Sequence, residues 1–248
     1  MVNFSLEGKI AIVTGASRGI GEAVALTLAE HGAHCILVSR KIEALEKVVK
    51  KIVEKGGNAE SIACHMGYPD RIATLFDEIK ERHGRLDILI NNAAANPHFG
   101  PMIDASESVW DKIMDVNLKG PFIMIQHAAG LMKVSGGGAI VNVSSINAIS
   151  PPPKQCIYSI AKAGLVSMTK GFAKELVRDN IRVNALLPGM TATKLAGVLI
   201  EDRDLLNMIP MNRPAEPIEM AGAVLYLVSE ASSYTTGACL VCDGGVTA

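Results

Sequence analysis

Short apolar runs alternate along the chain with longer stretches in which apolar residues recur every three or four positions. The short runs are Lys9–Thr14, His34–Ser39, Ala59–Cys64, Leu86–Ile90, Gly138–Ser144, Ile181–Leu187 and Ala238–Cys242. They are rich in Val and Ile and read as apolar on both faces, the pattern of strands buried in a parallel sheet. Between them, Glu22–His31, Ile42–Lys55 and Asp70–His83 carry helical spacing. Longer helical stretches run from Ser106 to Lys133 and from Gln155 to Arg178, and Pro217–Ser229 precedes the last strand. Strict strand–helix alternation predicts an α/β fold: one doubly wound parallel sheet of seven strands, helices on both faces. No shift of composition marks a linker, so residues 1–248 read as a single domain. Residues 190–214 break the periodicity with Pro210, Pro214 and several charges, as a lid or binding loop does.

Composition narrows the function classes. Hydrophobic residues make up 49% of the 248 and charged ones 20%, which excludes a disordered chain. Basic residues number 24 and acidic ones 25, so electrostatics offers no reason to expect a nucleic acid or an anionic membrane as partner. No apolar run approaches the length of a membrane span, and no signal peptide is visible; a cytoplasmic location is the expectation. The five cysteines are scattered, as reduced thiols are. Cys239 and Cys242 have C-x-x-C spacing. On a strand, residues three apart face opposite ways, and no paired His accompanies them, so no metal site is expected.

The glycines carry the first chemistry. The first strand runs into Thr14-Gly15-Ala16-Ser17-Arg18-Gly19-Ile20-Gly21, and a helical pattern follows at once. Gly15 permits a tight turn, Gly19 lets backbone approach a pyrophosphate, and Gly21 lets the helix lie close to the sheet. The helix N-terminus offers free N–H groups to the phosphates. Ser17 and Ile20 belong to the same turn. The spacing G-x-x-x-G-x-G behind Thr14 resembles the short-chain dehydrogenase/reductase family, whose fold is Rossmann-type. The second strand ends at Ser39-Arg40, where an NAD site usually carries a carboxylate for the ribose 2′-hydroxyl. Two guanidinium groups, Arg18 and Arg40, with the Ser39 hydroxyl, suit a 2′-phosphate, so NADP(H) is expected over NAD(H).

Tyr158 and Lys162 stand four apart in a helical pattern and so share one helix face. Free tyrosine, with a pKa of about 10, is a poor base near neutrality, and a neighbouring cation favours its phenolate. Such a pair could pass a proton to or from a substrate oxygen during hydride transfer. Ser145 precedes Tyr158 by thirteen residues at the carboxyl end of a predicted strand. That is where the family resemblance implies a substrate-orienting serine. Asn117 matches the family's helix asparagine, which the resemblance makes part of a proton relay through water beyond Lys162.

Asp87–Ala93 resembles the family's fourth-strand motif, in which Asn91 would brace the sheet and the Ala93 backbone would lie along the cofactor. Pro188-Gly189-Met190-Thr191-Ala192-Thr193 resembles the segment after strand six, with Thr191 and Thr193 near the phosphates. Asp243-Gly244-Gly245 resembles a C-terminal motif buried between subunits. The third strand departs from the family: it ends in Cys64-His65 where an Asp is usual, and neutral His65 could offer one acceptor nitrogen to adenine. Together with Ala94–Gly100, these features resemble the NADP-dependent retinol dehydrogenase/carbonyl reductase branch.

The substrate-facing candidates are His98, Ser145, Asn147, Gln155 and Met190, in a wall with Ile146 and Pro152. Mostly apolar, it suits a medium-sized carbonyl or secondary alcohol. The favoured reading is an NADP(H)-dependent oxidoreductase for such substrates, working in the reductive direction. A 3-oxoacyl-[acyl-carrier-protein] reductase, an NAD-dependent alcohol dehydrogenase and a non-enzymatic nucleotide-sensing scaffold are the alternatives. The resemblance, and the apolar excess of the helices from Ser106 and Gln155, imply a homotetramer.

Overall fold

The structure is a computed structural model, and it describes residues 2–194, 197 and 206–248. The strands are β1 (Ile10–Thr14), β2 (His34–Ser39), β3 (Asn58–Ala63), β4 (Ile88–Asn91), β5 (Gly138–Val143), β6 (Ile181–Pro188) and β7 (Cys239–Cys242). They form one sheet in the order β3-β2-β1-β4-β5-β6-β7, and every pairing is parallel. The helices are α1 (Gly19–Glu30), α2 (Ile42–Glu54), α3 (Pro69–His83), α4 (Glu107–Met114), α5 (Gly120–Val134), α6 (Cys156–Leu176) and α7 (Pro217–Val228). Among the described residues, no helix is long and apolar enough to cross a membrane.

Alternate side chains of the central strands feed two cores, as the two-residue repeat of a strand requires. Ala11, Val13, Cys35, Leu37, Ile90 and Val141 pack beneath α1, α2 and α7. Ile12, Ile36, Val38, Leu89, Ile140 and Val183 pack on the opposite face, with α3 and α5. This two-sided burial is why those strands read as continuous apolar runs.

β3 departs from that reading. It is an edge strand, Asn-Ala-Glu-Ser-Ile-Ala, with Ile62 its one buried residue. An edge strand has a neighbour on one side alone and needs less apolar surface. The stretch predicted as one helix from Ser106 to Lys133 is also interrupted. Five residues, Asp115–Lys119, form a π-turn between α4 and α5. Gly120 sits where a side chain could not: a Cβ would stand 2.3 Å from the Met66 carbonyl oxygen.

Because all strands run the same way, the segments following β1, β2, β3, β4, β5 and β6 emerge at one end of the sheet. The order reverses between β1 and β4, and open α/β sheets bind ligands in the crevice at such a switch point.

Candidate active site

The crevice is built first from backbone. Thr14 ends β1 with its hydroxyl buried. It donates to the Ile90 carbonyl at 3.0 Å and accepts from the N–H groups of Asn92 and Ala93 at 2.9 and 3.0 Å. The Asn92 amide donates to the carbonyls of Thr14 and Gly15 at 2.9 and 3.3 Å. These bonds lock the β1–α1 turn to the end of β4. They also explain two glycines. A Cβ on Gly21 would lie 2.4 Å from the Gly15 oxygen, and one on Gly15 would lie 2.8 Å from the Asn92 amide nitrogen. Asn92 is a positioning residue that sequence reasoning passed over; it stood inside the fourth-strand motif without an assigned task.

The turn fits an anion. Gly15 and Gly19 take positive φ angles of 65° and 60°. Arg18 is the N-cap of α1 and makes no side-chain cap, so its side chain leaves the first-turn N–H groups open to a ligand. Gly19 faces Thr193, whose methyl group would be 3.1 Å from an added Cβ. The segment after β6 therefore closes over the glycine turn. Arg18 and Arg40 are both exposed and form no ion pair within 4 Å among the described residues. Ser39 ends β2 and is half-buried beside Arg40. Ser17 and Ile20 are half-buried in the turn, with Ile20 packed against the first core.

His65 follows β3. Its Nδ1 accepts the Gly67 N–H at 3.0 Å, and its ring packs on Tyr68 with centroids 4.7 Å apart. Burial, then the nearby Arg40 cation, hold its pKa below the ordinary value, so it is neutral. With Nδ1 engaged as acceptor, the remaining nitrogen carries the proton. His65 thus presents a donor, opposite to the acceptor expected for adenine.

Of the four residues expected to act in catalysis, Ser145, Tyr158 and Lys162 gather at the end of β5, and Asn117 lies in the π-turn that packs beside α6. Lys162 is buried in α6. Its ammonium donates to the Val143 carbonyl at 2.7 Å, while its own carbonyl accepts from the Ser144 hydroxyl at 2.9 Å. The ammonium lies 5.5 Å from the centre of the Tyr158 ring. Ser145 is extended, and its hydroxyl accepts the Asn147 N–H at 3.1 Å. Asn117 is fully buried in the π-turn. Its amide binds both backbone groups of Ala95, donating to the carbonyl and accepting from the N–H, each at 2.8 Å. Its side chain therefore fixes the loop after β4.

The electrostatics reverse one expectation. Burial pushes Lys162 down to about 7 and Tyr158 up to about 12. The Ser145 hydroxyl favours the phenolate but is outweighed. Lysine loses its charge before tyrosine would ionise, so in this chain alone Lys162 does not depress Tyr158. Near neutrality Tyr158 is a phenol, ready to give a proton.

The remaining predicted residues divide. Asn91 spends its side chain on Asn142 at 2.9 Å, and Asn142 donates in turn to Thr169 at 2.9 Å, so Asn91 braces β4 against β5 and α6. Ala93 sits at the crevice with its N–H held by Thr14. Pro188 ends β6, and Gly189 lies so near Asp243 that a Cβ would stand 2.7 Å from its Cα. Thr191 turns inward, donating to the Gly189 carbonyl at 3.2 Å. The Met190 carbonyl accepts the Ala215 N–H at 2.9 Å, which closes the base of the 190–214 segment. Residues 195, 196 and 198–205 of that predicted lid lie outside the described residues.

Asn147 and Gln155 meet at 3.4 Å. The loop after β4 is tied to the loop before α6 by the Gly100 N–H and the Lys154 carbonyl, 3.1 Å apart. His98 turns one ring nitrogen to the Pro101 carbonyl at 3.1 Å. In the same loop Asn96 Oδ1 is buried without a partner among the described residues, an acceptor that no motif flagged.

Comparison with known proteins agrees with this architecture. A family model described as "Enoyl-(Acyl carrier protein) reductase" matches residues 15–247. The human protein named "Dehydrogenase/reductase SDR family member 4" is 39% identical over 244 residues, covering 97% of this chain and 88% of its own length. A short-chain type dehydrogenase/reductase from Mycobacterium marinum superposes with a TM-score of 0.94 at 38% identity, covering 98% of this chain and 97% of that one. A gluconate 5-dehydrogenase from Burkholderia cenocepacia J2315, solved in complex with NADP and tartrate, gives 0.94 at 31% identity, with 98% and 97% covered. A fold, a switch-point crevice and a near-full-length family match thus converge, and the chain belongs to the short-chain dehydrogenase/reductase family of oxidoreductases.

Proposed function

We propose that the chain is an NADP(H)-dependent oxidoreductase interconverting a carbonyl compound and its secondary alcohol, with Tyr158 as the acid–base group. The observation that carries this reading is the arrangement of Tyr158, Lys162 and Ser145 at the carboxyl end of β5, the same end of the sheet as the glycine turn. Solved relatives that contain NADP make a nicotinamide cofactor reasonable here too.

The turn Gly15–Gly21 and the N-terminus of α1 would hold the pyrophosphate, with Thr193 across from Gly19. Arg18, Ser39 and Arg40 would hold the 2′-phosphate, since both guanidinium groups are exposed and without ion-pair partners among the described residues. Ala93, Pro188 and Gly189 would line the nicotinamide end. When bound, the nicotinamide supplies or accepts the hydride.

The chain's own residues then manage the oxygen. Ser145 holds it. Tyr158, a buried phenol, donates a proton to the forming alkoxide in the reductive direction. The carbonyl of Val143 holds Lys162 Nζ 5.5 Å from the centre of the Tyr158 ring, where a lysine that regains its proton beside a bound cofactor would stabilise the phenolate left behind. Oxidation would begin from that phenolate and is the harder direction near neutrality.

Consumption of NADPH and of NADH against a panel of ketones, aldehydes and acyl thioesters tests the reading. NADPH-dependent reduction of an apolar ketone or aldehyde is expected. Tyr158→Phe should lower it by about 10²–10⁴-fold while the protein still melts cooperatively. Unchanged turnover in that variant would refute the proposal, and activity restricted to acyl thioesters would favour the acyl-carrier alternative.

A further inference from the structure

A second cluster of chemistry-bearing side chains lies at the other end of the sheet. His34 opens β2, Glu60 is the third residue of β3, and His83 is the last residue of α3. His34 pairs with Asn58 and Ile36 with Glu60, so His34 and Glu60 project on the same face of the sheet. That face carries α3, whose end delivers His83. The nearest ligand atoms of the three residues all lie within 4.8 Å of one another. Both histidines turn Nε2 to the same oxygen, Glu60 Oε1, at 3.3 Å from His34 and 2.5 Å from His83. Arg82 occupies the other oxygen, Oε2, at 2.6 Å.

We infer that His34, Glu60 and His83 form a binding site for a divalent transition-metal ion, Zn²⁺ by ligand chemistry. Two imidazole nitrogens and one carboxylate oxygen are a ligand set that such ions accept, with solvent at an open fourth position. In a tetrahedral zinc site, bonds of about 2.0–2.2 Å set neighbouring ligand atoms about 3.3 Å apart, which the His34–Glu60 separation already matches. The His83–Glu60 separation must open by about 0.8 Å, as happens when an ion replaces the shared protons.

The surroundings favour a cation. Burial opposes ionisation of Glu60, but hydrogen bonds from His83, Arg82 and His34 outweigh it and keep the carboxyl below its ordinary value. Arg82 is itself paired with Glu78, so the two glutamates outnumber the one guanidinium between them. The site sits at the C-terminal end of α3, where the helix dipole is negative. The side chains remain 36% exposed at His34, 22% at Glu60 and 18% at His83, enough for ion entry and a solvent ligand. Bound there, the ion would clamp edge strand β3 to β2 and α3. None of this depends on the proposed catalytic activity.

The test uses the whole, untagged, metal-stripped chain titrated with Zn²⁺ alone by calorimetry, and with Co²⁺ by visible absorption. One saturable equivalent is expected at micromolar ion, with a four-coordinate Co²⁺ spectrum and no thiolate charge-transfer band. The double variant His34→Ala/His83→Ala should lose that equivalent. Glu60→Gln, which keeps the size but removes the charge and one acceptor oxygen, should weaken it by more than about tenfold. Absence of binding to the wild-type chain at millimolar ion would overturn the inference. So would an equivalent that survives the double variant, or a thiolate band assigning it to cysteine.

Discussion

Lys162 carries an ammonium that the fold buries almost completely, and its consequences are measurable without substrate. Its folded value is about 7 against an ordinary 10.5. Between these values the unfolded chain holds a proton that the folded chain has released, so stability rises with pH across that window. Below about 7 both states are protonated and the penalty is constant. Buried Cys35 and Cys64, raised from 9.0 to about 12 and 11, act the opposite way above pH 9, where the unfolded thiols ionise first. Urea unfolding between pH 7 and 8.5 should therefore show stability climbing by about 1 kcal/mol per pH unit, and Lys162→Met should flatten that climb. At the other end of the crevice Arg40 permits a sharper test. Arg40→Asp places a carboxylate where a 2′-phosphate is expected, so the Kd of NADPH should rise far more than that of NADH. Equal weakening of both, read by fluorescence titration, would remove Arg40 from cofactor choice.

Single elements show how one side chain can terminate a structure. Arg182 on β6 reaches across to the end of α7. It donates to the carbonyls of Leu227 and Ser229 at 2.8 and 3.2 Å, to the Ser232 hydroxyl at 2.8 Å and to the Thr235 carbonyl at 3.3 Å. The last carbonyls of a helix lack partners within it, and one guanidinium serves this end and the turn into β7. Arg182→Ala should destabilise the fold by about 3 kcal/mol, because several acceptors lose their donor together. For a chain of this length that lowers the melting temperature by about 6–12 °C. Nothing in the sequence marked Arg182, since its partners stand 45–53 residues away. The π-turn at Asp115–Lys119 was equally silent, because apolar spacing alone does not separate a wide turn from a continuous helix. By contrast, the start of α1 was legible: its glycines are explained by contacts with Asn92 and Gly15 that no side chain could share.

At the scale of the molecule, the two helices expected to carry apolar excess do leave large side chains in solvent. Trp110 on α4, Phe122 on α5 and Ile160 on α6 are each about 40% exposed, and α4 and α5 pack beside α6. Tyr226 on α7 and Val241 on β7 form a second exposed set at the far edge of the sheet. Two separate apolar faces are what a tetramer with two kinds of dyad requires. Light scattering should give four times the chain mass, and a charge introduced by Ile160→Glu should halve it or reduce it further.

The parallel, doubly wound class of the sheet was accessible from sequence because apolar periodicity reports burial, and burial on both faces belongs to parallel sheets. The six crevice segments could likewise be named in advance, since in such a sheet each strand's carboxyl end is a fixed place relative to its own chain. Periodicity and motif spacing are local, and they carry the identity of Tyr158, Lys162, Ser145 and the glycine turn. Protonation state is not local. It depends on what surrounds a group in three dimensions, which is why burial raised Tyr158 where the neighbouring lysine alone predicted a fall. The same reason hid the locking role of Asn92, the loop-holding amide of Asn117 and the meeting of His34, Glu60 and His83. Each joins residues distant in the chain, and only closure of the sheet brought their atoms within bonding range.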